Sequence, residues 1–132
     1  MTTIRRYNPE GIAVPASRYV HAVLTTDATR WLHLAGQIGI APDGQVADGL
    51  AAQIDQCLAN IDVALVSAQM TRADVLKLTF YLTDSSPEAI ATYRARRDVW
   101  LGDGPTPAST LLVVSALAFP ALLVEVECIA AA

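Results

Sequence analysis

Apolar residues return along this chain with two distinct periods. Between Leu50 and Met70, Ile54, Leu58, Ile61, Leu65 and Ala68 recur every three or four positions, with Cys57 and Ala64 on the same flank. Gln53, Asp55, Asn60 and Asp62 fall mostly off that stripe. The spacing predicts an amphipathic helix of about five to six turns. Between Val75 and Thr83 the period drops to two. Leu76, Leu78, Phe80 and Leu82 share one face, and Val75, Lys77, Thr79 and Tyr81 the other, as on a strand. Ser85 or Ser86 then offers a helix cap, Pro87 suits a first turn, and Glu88 complements the N-terminal dipole. A helix over Pro87–Leu101 follows, ended by Gly102-Asp103-Gly104-Pro105.

The two ends are strand-like. Residues 1–16 carry Pro9, Gly11 and Pro15 and predict irregular chain. Tyr19–Thr25 and Arg30–Ala35 read as strands joined by the polar turn Thr26–Thr29, hence a hairpin. Gly36-Gln37-Ile38-Gly39-Ile40 comes next, before a Pro42-Asp43-Gly44 turn. Those glycines do not form a phosphate loop, because the full GxGxxG pattern is absent and no helix opens from them. At the other end, Leu111–Leu117 and Ala121–Ala131 are apolar runs joined by Ala118-Phe119-Pro120, and predict two buried strands with a tight return. Glu125 and Glu127 lie inside the second run and point to one face; a carboxylate among valines is costly unless a polar group meets it. The order is ββ-α-β-α-ββ. It predicts one α+β domain over residues 1–132, with both helices on one side of a sheet. The other sheet face then needs cover, which further subunits would supply.

Composition narrows the function classes. The 132 residues are 53% hydrophobic and 17% charged, with mean hydropathy +0.37. No run is long enough to span a bilayer, and MTTIRRYNPEG lacks the apolar segment of a signal peptide. Net charge −4, pI about 4.9 and the lack of a basic run beyond Arg94, Arg96 and Arg97 speak against a nucleic-acid surface. Cys57 and Cys128 are too few and too far apart for a metal site or a disulfide framework, and predict free thiols in a reducing cytoplasm.

Several of these pieces together resemble the Rid family, also called the YjgF or reactive-intermediate deaminase family. They are Tyr19-Val20-His21-Ala22-Val23, Leu34-Ala35-Gly36-Gln37-Ile38-Gly39, Pro42-Asp43-Gly44, Gln56 to Asn60-Ile61, and Thr79-Phe80-Tyr81-Leu82-Thr83-Asp84. Gly104-Pro105, Pro107-Ala108-Ser109-Thr110 and Val124-Glu125-Val126-Glu127-Cys128-Ile129-Ala130 complete the set, in order and over nearly the whole chain. The resemblance implies a two-layer chorismate-mutase-like fold and a homotrimer whose sheets line a central barrel. Small ligands would sit in clefts between subunits. It also implies cofactor-free and metal-free hydrolysis of reactive enamines and imines such as 2-aminoacrylate, giving a 2-keto acid and ammonia. Some members carry a nuclease or translation-inhibitor label, which the acidic charge balance here opposes.

By the same resemblance, Glu125 is the cleft carboxylate that guides a water or proton, and Tyr19, Gly36, Ser109 and Thr110 contact substrate. Three have a plainer alternative: Glu125 held by backbone N–H groups or a neighbouring subunit, Tyr19 as an interface aromatic, Gly36 as a sheet bend. His21 reads as a wall residue or a shuttle, His33 as a strand histidine, and Glu127 as a residue with a structural partner. One departure stands out. Deaminating members read Pro-Ala-Arg-Ser, and Ser109 occupies the arginine position. A serine cannot hold a carboxylate in a bidentate fork. Losing such a contact at a desolvated site costs about 2–5 kcal/mol of binding. Arg18, Arg94, Arg96 and Arg97 are the candidate replacements, with Arg18 foremost because it adjoins Tyr19. A trimeric protein that binds a small molecule without turnover, or acts as a chaperone, is the competing reading.

Overall fold

The computed structural model describes residues 1–132. Seven strands and two helices follow in order: β1 Thr3–Tyr7, β2 Ala22–Thr26, β3 Trp31–His33, β4 Gln37–Ile38, α1 Leu50–Ser67, β5 Val75–Leu82, α2 Pro87–Leu101, β6 Ala108–Val113 and β7 Val124–Ala131. The architecture is α+β. The helices pack on one face of a five-stranded sheet in which β7 lies between β5 and the β3 and β4 segments, and β6 is the far edge. β1 and β2 form a separate antiparallel pair. No helix is long and apolar enough to cross a membrane.

The two periodic segments fold as their patterns require. α1 buries Ile54, Cys57, Leu58, Ile61 and Leu65, and ends three residues earlier than the stripe suggested. β5 buries Leu78, Phe80 and Leu82 against the helices and turns Lys77, Thr79 and Tyr81 to the opposite face. A register shift between Val75 and Lys77 puts Val75 rather than Leu76 in the core, a departure from the simple alternation. Ser86 caps α2 by accepting from the Ala89 N–H at 3.1 Å, with Pro87 in the first turn and Gly102 past the last at φ 53°. These groups join Val124, Val126 and Cys128 of β7 in one hydrophobic cluster.

Three expectations at the ends are corrected. Residues 1–16 are not wholly irregular: Thr3–Tyr7 is a strand, paired Thr3 to Thr26 through Tyr7 to Ala22. β2 and β3 therefore do not make a hairpin, since β2 is taken by β1 and β3 lies along β7. Nor do the last two strands pair with each other. β6 runs parallel to β5, because the chain returns through α2, and such a crossover brings the next strand in parallel. β7 is antiparallel to β5 on its other side. The chain between them passes over the end of β5, where Val114 donates to the Leu82 carbonyl and Thr83 to that of Leu123. The apolar run Leu111–Leu117 is thus an edge strand that stops at Val113, with Leu112 and Val113 each 46% exposed.

Candidate functional site

The residues singled out in the sequence fall into two groups, on either side of β5. The first group is built on β7. Its outward face carries Glu125 and Glu127, opposite Tyr81 and Thr79 of β5. Alongside, His33 pairs with Ile129 whereas Gln37 pairs with Val126, so β3–β4 gains one residue over β7 between them. Gly36 sits in that irregular stretch, directly against Glu125: a Cβ there would lie 2.7 Å from the carboxyl carbon. Glu127 has its polar partner, for the Tyr81 hydroxyl donates to it at 2.5 Å. That bond raises the Tyr81 phenol above its ordinary pKa. Glu125 has no comparable side-chain bond within the protomer. Its charge adds to the burial that pushes the neighbouring Cys57 thiol up to about 12.

The second group lies around β6 and α2. Val20 donates to the Pro107 carbonyl at 3.1 Å and bridges to Ala108, which holds Ser17–Tyr19 beside the start of β6. Tyr19, Ser109 and Thr110 then line a cavity of about 300 Å³ together with Tyr93 and Arg97 of α2. Lys77 donates to the Thr110 hydroxyl at 2.6 Å, across from β5. Tyr19 meets the His21 ring edge-on at 5.5 Å, and His21 Nε2 lies 2.7 Å from the Ala13 carbonyl, which fits a wall residue. His33 stacks on Trp31 at 6.4 Å.

The arginines sort clearly. Arg18 is engaged elsewhere: it donates to the Gly102 carbonyl at 2.6 Å and reaches those of Asp98 and Gly104 at the end of α2. There it satisfies carbonyls that the helix leaves unpaired. Arg96 pairs with Asp55 at 2.7 Å. Arg94 and Arg97 line the cavity. Arg97, only 1% exposed, is its one buried charge. Periodicity could not pick it from its neighbours, because a charged residue on the inner face of a polar helix looks like a surface residue in sequence.

The two groups do not meet within one protomer. β5 separates β6 from β7, and two strand spacings amount to roughly 10 Å. Ser109 and Thr110 also differ in direction: Ser109 is level with the inward Leu78, and Thr110 with the outward Thr79. No cluster of His, Cys, Asp and Glu suited to a metal ion occurs.

Comparison with known proteins agrees with this architecture. A family model described as Endoribonuclease L-PSP matches residues 11–132. YyfB from Yersinia pestis, described as a protein of unknown function in the conserved Rid family, is 34% identical. It superposes with a TM-score of 0.88 over 98% of both chains. The YjgF gene product of E. coli is 25% identical, with a TM-score of 0.72 over 96% of this chain and 98% of that one. A RutC family protein of Aquifex aeolicus is 36% identical over 72 residues, which is 54% of this chain and 55% of that relative's length.

Proposed function

Since the chain belongs to the Rid family, matched along residues 11–132, we propose that it hydrolyses a small enamine or imine in clefts formed between copies of itself. One observation carries this reading. Gly36 with Glu125, and Tyr19 with Ser109 and Thr110, are two half-sites on opposite sides of β5. A neighbouring copy that lays its β6 edge against this β7 face joins them into one cleft. Residues 1–132 act as a single chorismate-mutase-like domain. Three copies, closed around an axis, place their outward sheet faces in a barrel and repeat the cleft at each interface. The outward face supports that arrangement, since Trp31 and Leu112 are apolar and about half-exposed in the lone protomer.

The chemistry follows from the groups. An imine carbon is attacked by water. Glu125 takes a proton from that water and gives it to the imine nitrogen. It then takes the proton of the resulting carbinolamine hydroxyl and passes it to the nitrogen as the C–N bond breaks, and ammonia and a 2-oxo acid result. No electrons change hands, so the step needs neither a redox cofactor nor a group carrier. Ser109 and Thr110 offer hydroxyls to the substrate and Tyr19 a wall. A small ligand fits the net charge of −4 better than an RNA backbone does. The two free buried thiols suit a reducing compartment such as the cytoplasm.

The test is to generate 2-aminoacrylate from serine with a dehydratase, trap unhydrolysed imine with semicarbazide, and add the protein in catalytic amounts. Faster pyruvate release at the expense of trapped adduct supports hydrolysis. An unchanged partition sinks it and favours the second reading, a binding or chaperone-like trimer without turnover. Ser109, uncharged where deaminating relatives carry arginine, is the specific feature behind that alternative.

A further inference from the structure

Resting on the cleft reading above, we infer that Arg97 of α2 anchors a small carboxylate in the cavity between α2, β6 and Ser17–Tyr19. Arg97 is 1% exposed, and a buried charge is stable only when it is paired and hydrogen-bonded. Its protein partners do not use it up. Nε donates to Asp98 at 2.9 Å, Nη1 to the Tyr93 hydroxyl at 3.0 Å, and Nη2 to Ser17 Oγ at 2.9 Å. The only carboxylate of the three is on the next residue of the same helix, and its side chain is 46% exposed. Each terminal nitrogen carries two hydrogens, so one N–H on Nη1 and one on Nη2 lack a protein acceptor. Those two are the donors left for a carboxylate to accept from.

A second feature points to the same occupant. Ser109 Oγ, on the wall of this cavity, is buried with no hydrogen-bond partner. Buried hydroxyls are seldom left so, because the lost hydration is not repaid. The Tyr93 hydroxyl accepts from Arg97, which leaves its own hydrogen to donate. The cavity therefore collects unused donors from Arg97, Tyr93 and Ser109, and what such a set lacks is an anionic acceptor.

Volume and lining set the class. About 300 Å³ with Ala16, Tyr19 and Leu111 on the walls has ample room for a small organic acid. The serine at position 109 then acquires a reason. A long cation there would enter the space beside the Arg97 guanidinium and face a like charge, whereas a short hydroxyl adds one donor to it. The anchor comes from α2 and approaches the ligand from within the protomer.

The experiment uses the full-length protein, labelled with nitrogen-15, and pyruvate as the probe, with acetone as its uncharged counterpart. Pyruvate is expected to move the Arg97 Nη resonances saturably and to bind about tenfold or more tightly than acetone. Arg97→Gln should remove that preference. Should Arg97→Gln fail to fold, Ser109→Leu fills the cavity while keeping the charge, and should weaken pyruvate by about tenfold or more. Pyruvate binding that leaves Arg97 unmoved and shifts only the Gly36–Glu125 half overturns the inference and leaves the cleft reading standing. Equal affinity for pyruvate and acetone at the cavity overturns it as well. Binding of neither probe at either half overturns both.

Discussion

Gly36 and Glu125 touch where the sheet changes register. A side chain at Gly36 would begin 2.7 Å from Glu125 Cδ and 2.8 Å from its Cγ. The absence of a Cβ thus fixes where the carboxylate rests. The atoms in the way belong to a flexible side chain, so Gly36→Ala displaces Glu125 more readily than it strains the fold. We expect a loss of about 1 kcal/mol in stability and a fall of about tenfold or more in turnover. Urea denaturation and the aminoacrylate assay measure the two. Full activity in Gly36→Ala would separate Glu125 from the chemistry.

Gly39 makes the opposite case. A Cβ there would lie 2.6 Å from Gln53 Cβ and 2.9 Å from its Cα, which is helix backbone and cannot swing aside. Gln53 is itself fixed: its amide donates to Ala47 and Ala121 and accepts from the Leu123 N–H at 2.8 Å, tying α1 to the approach to β7. Gly39→Ala should cost about 2–3 kcal/mol. Gln53→Leu, which strands three backbone groups, should cost about 2–4 kcal/mol. A denaturation midpoint within error of wild type for either variant would contradict this packing.

The thiols make a pH prediction. Burial pushes Cys57 and Cys128 up to about 12, from an ordinary value of 9.0. Unfolded thiols ionise near 9 while the native ones keep their protons. Their contribution is complete below pH 9 and declines as pH rises toward 12. Above the lower bound, each pH unit removes up to about 1.4 kcal/mol per thiol. The double variant Cys57→Ala, Cys128→Ala should show a shallower loss of stability between pH 8 and 10.5 than the native chain. A disulfide reagent at pH 8 should label neither thiol before unfolding; immediate labelling of the folded protein contradicts the burial.

Tyr81 and Glu127 give an optical readout. The hydrogen bond to Glu127 raises the Tyr81 phenol above 10, so that bond's contribution is present below pH 10 and disappears as the tyrosine ionises. In a spectrophotometric titration, Glu127→Gln should shift one tyrosine toward lower pH, and Tyr81→Phe should delete the same component. Superimposable curves for wild type and Glu127→Gln would show that the bond is not formed in solution.

What the sequence disclosed depended on how local the signal was. The stripe of Ile54, Leu58, Ile61 and Leu65 and the alternation of Leu76 to Leu82 are local, and both elements formed where they pointed, except that the register shift between Val75 and Lys77 exchanged Leu76 for Val75 in the core. Pairing was not local. Leu111–Leu117 and Ala121–Ala131 are near neighbours in the chain, yet β5 lies between the strands they yield, because the α2 crossover placed β6 parallel on its far side. β1 escaped notice because Thr3–Tyr7 alternates weakly, with two arginines in five residues. At the site, the contact of Gly36 with Glu125 and the grouping of Tyr19 with Ser109 became visible only once the sheet was assembled. Arg97 was one of four arginines named as replacements. Its burial could not be told from sequence, and Arg18, the foremost of them, is occupied at the end of α2.

The central claim is that one working cleft takes Glu125 from one copy and Tyr19 from another. Glu125→Gln and Tyr19→Ala proteins, each inactive alone, should be unfolded together, refolded as a mixture and assayed for aminoacrylate hydrolysis. Random assembly restores intact clefts at about a quarter of interfaces, so the mixture should regain about a quarter of wild-type activity. A mixture no more active than its two components would mean that the halves do not meet between copies.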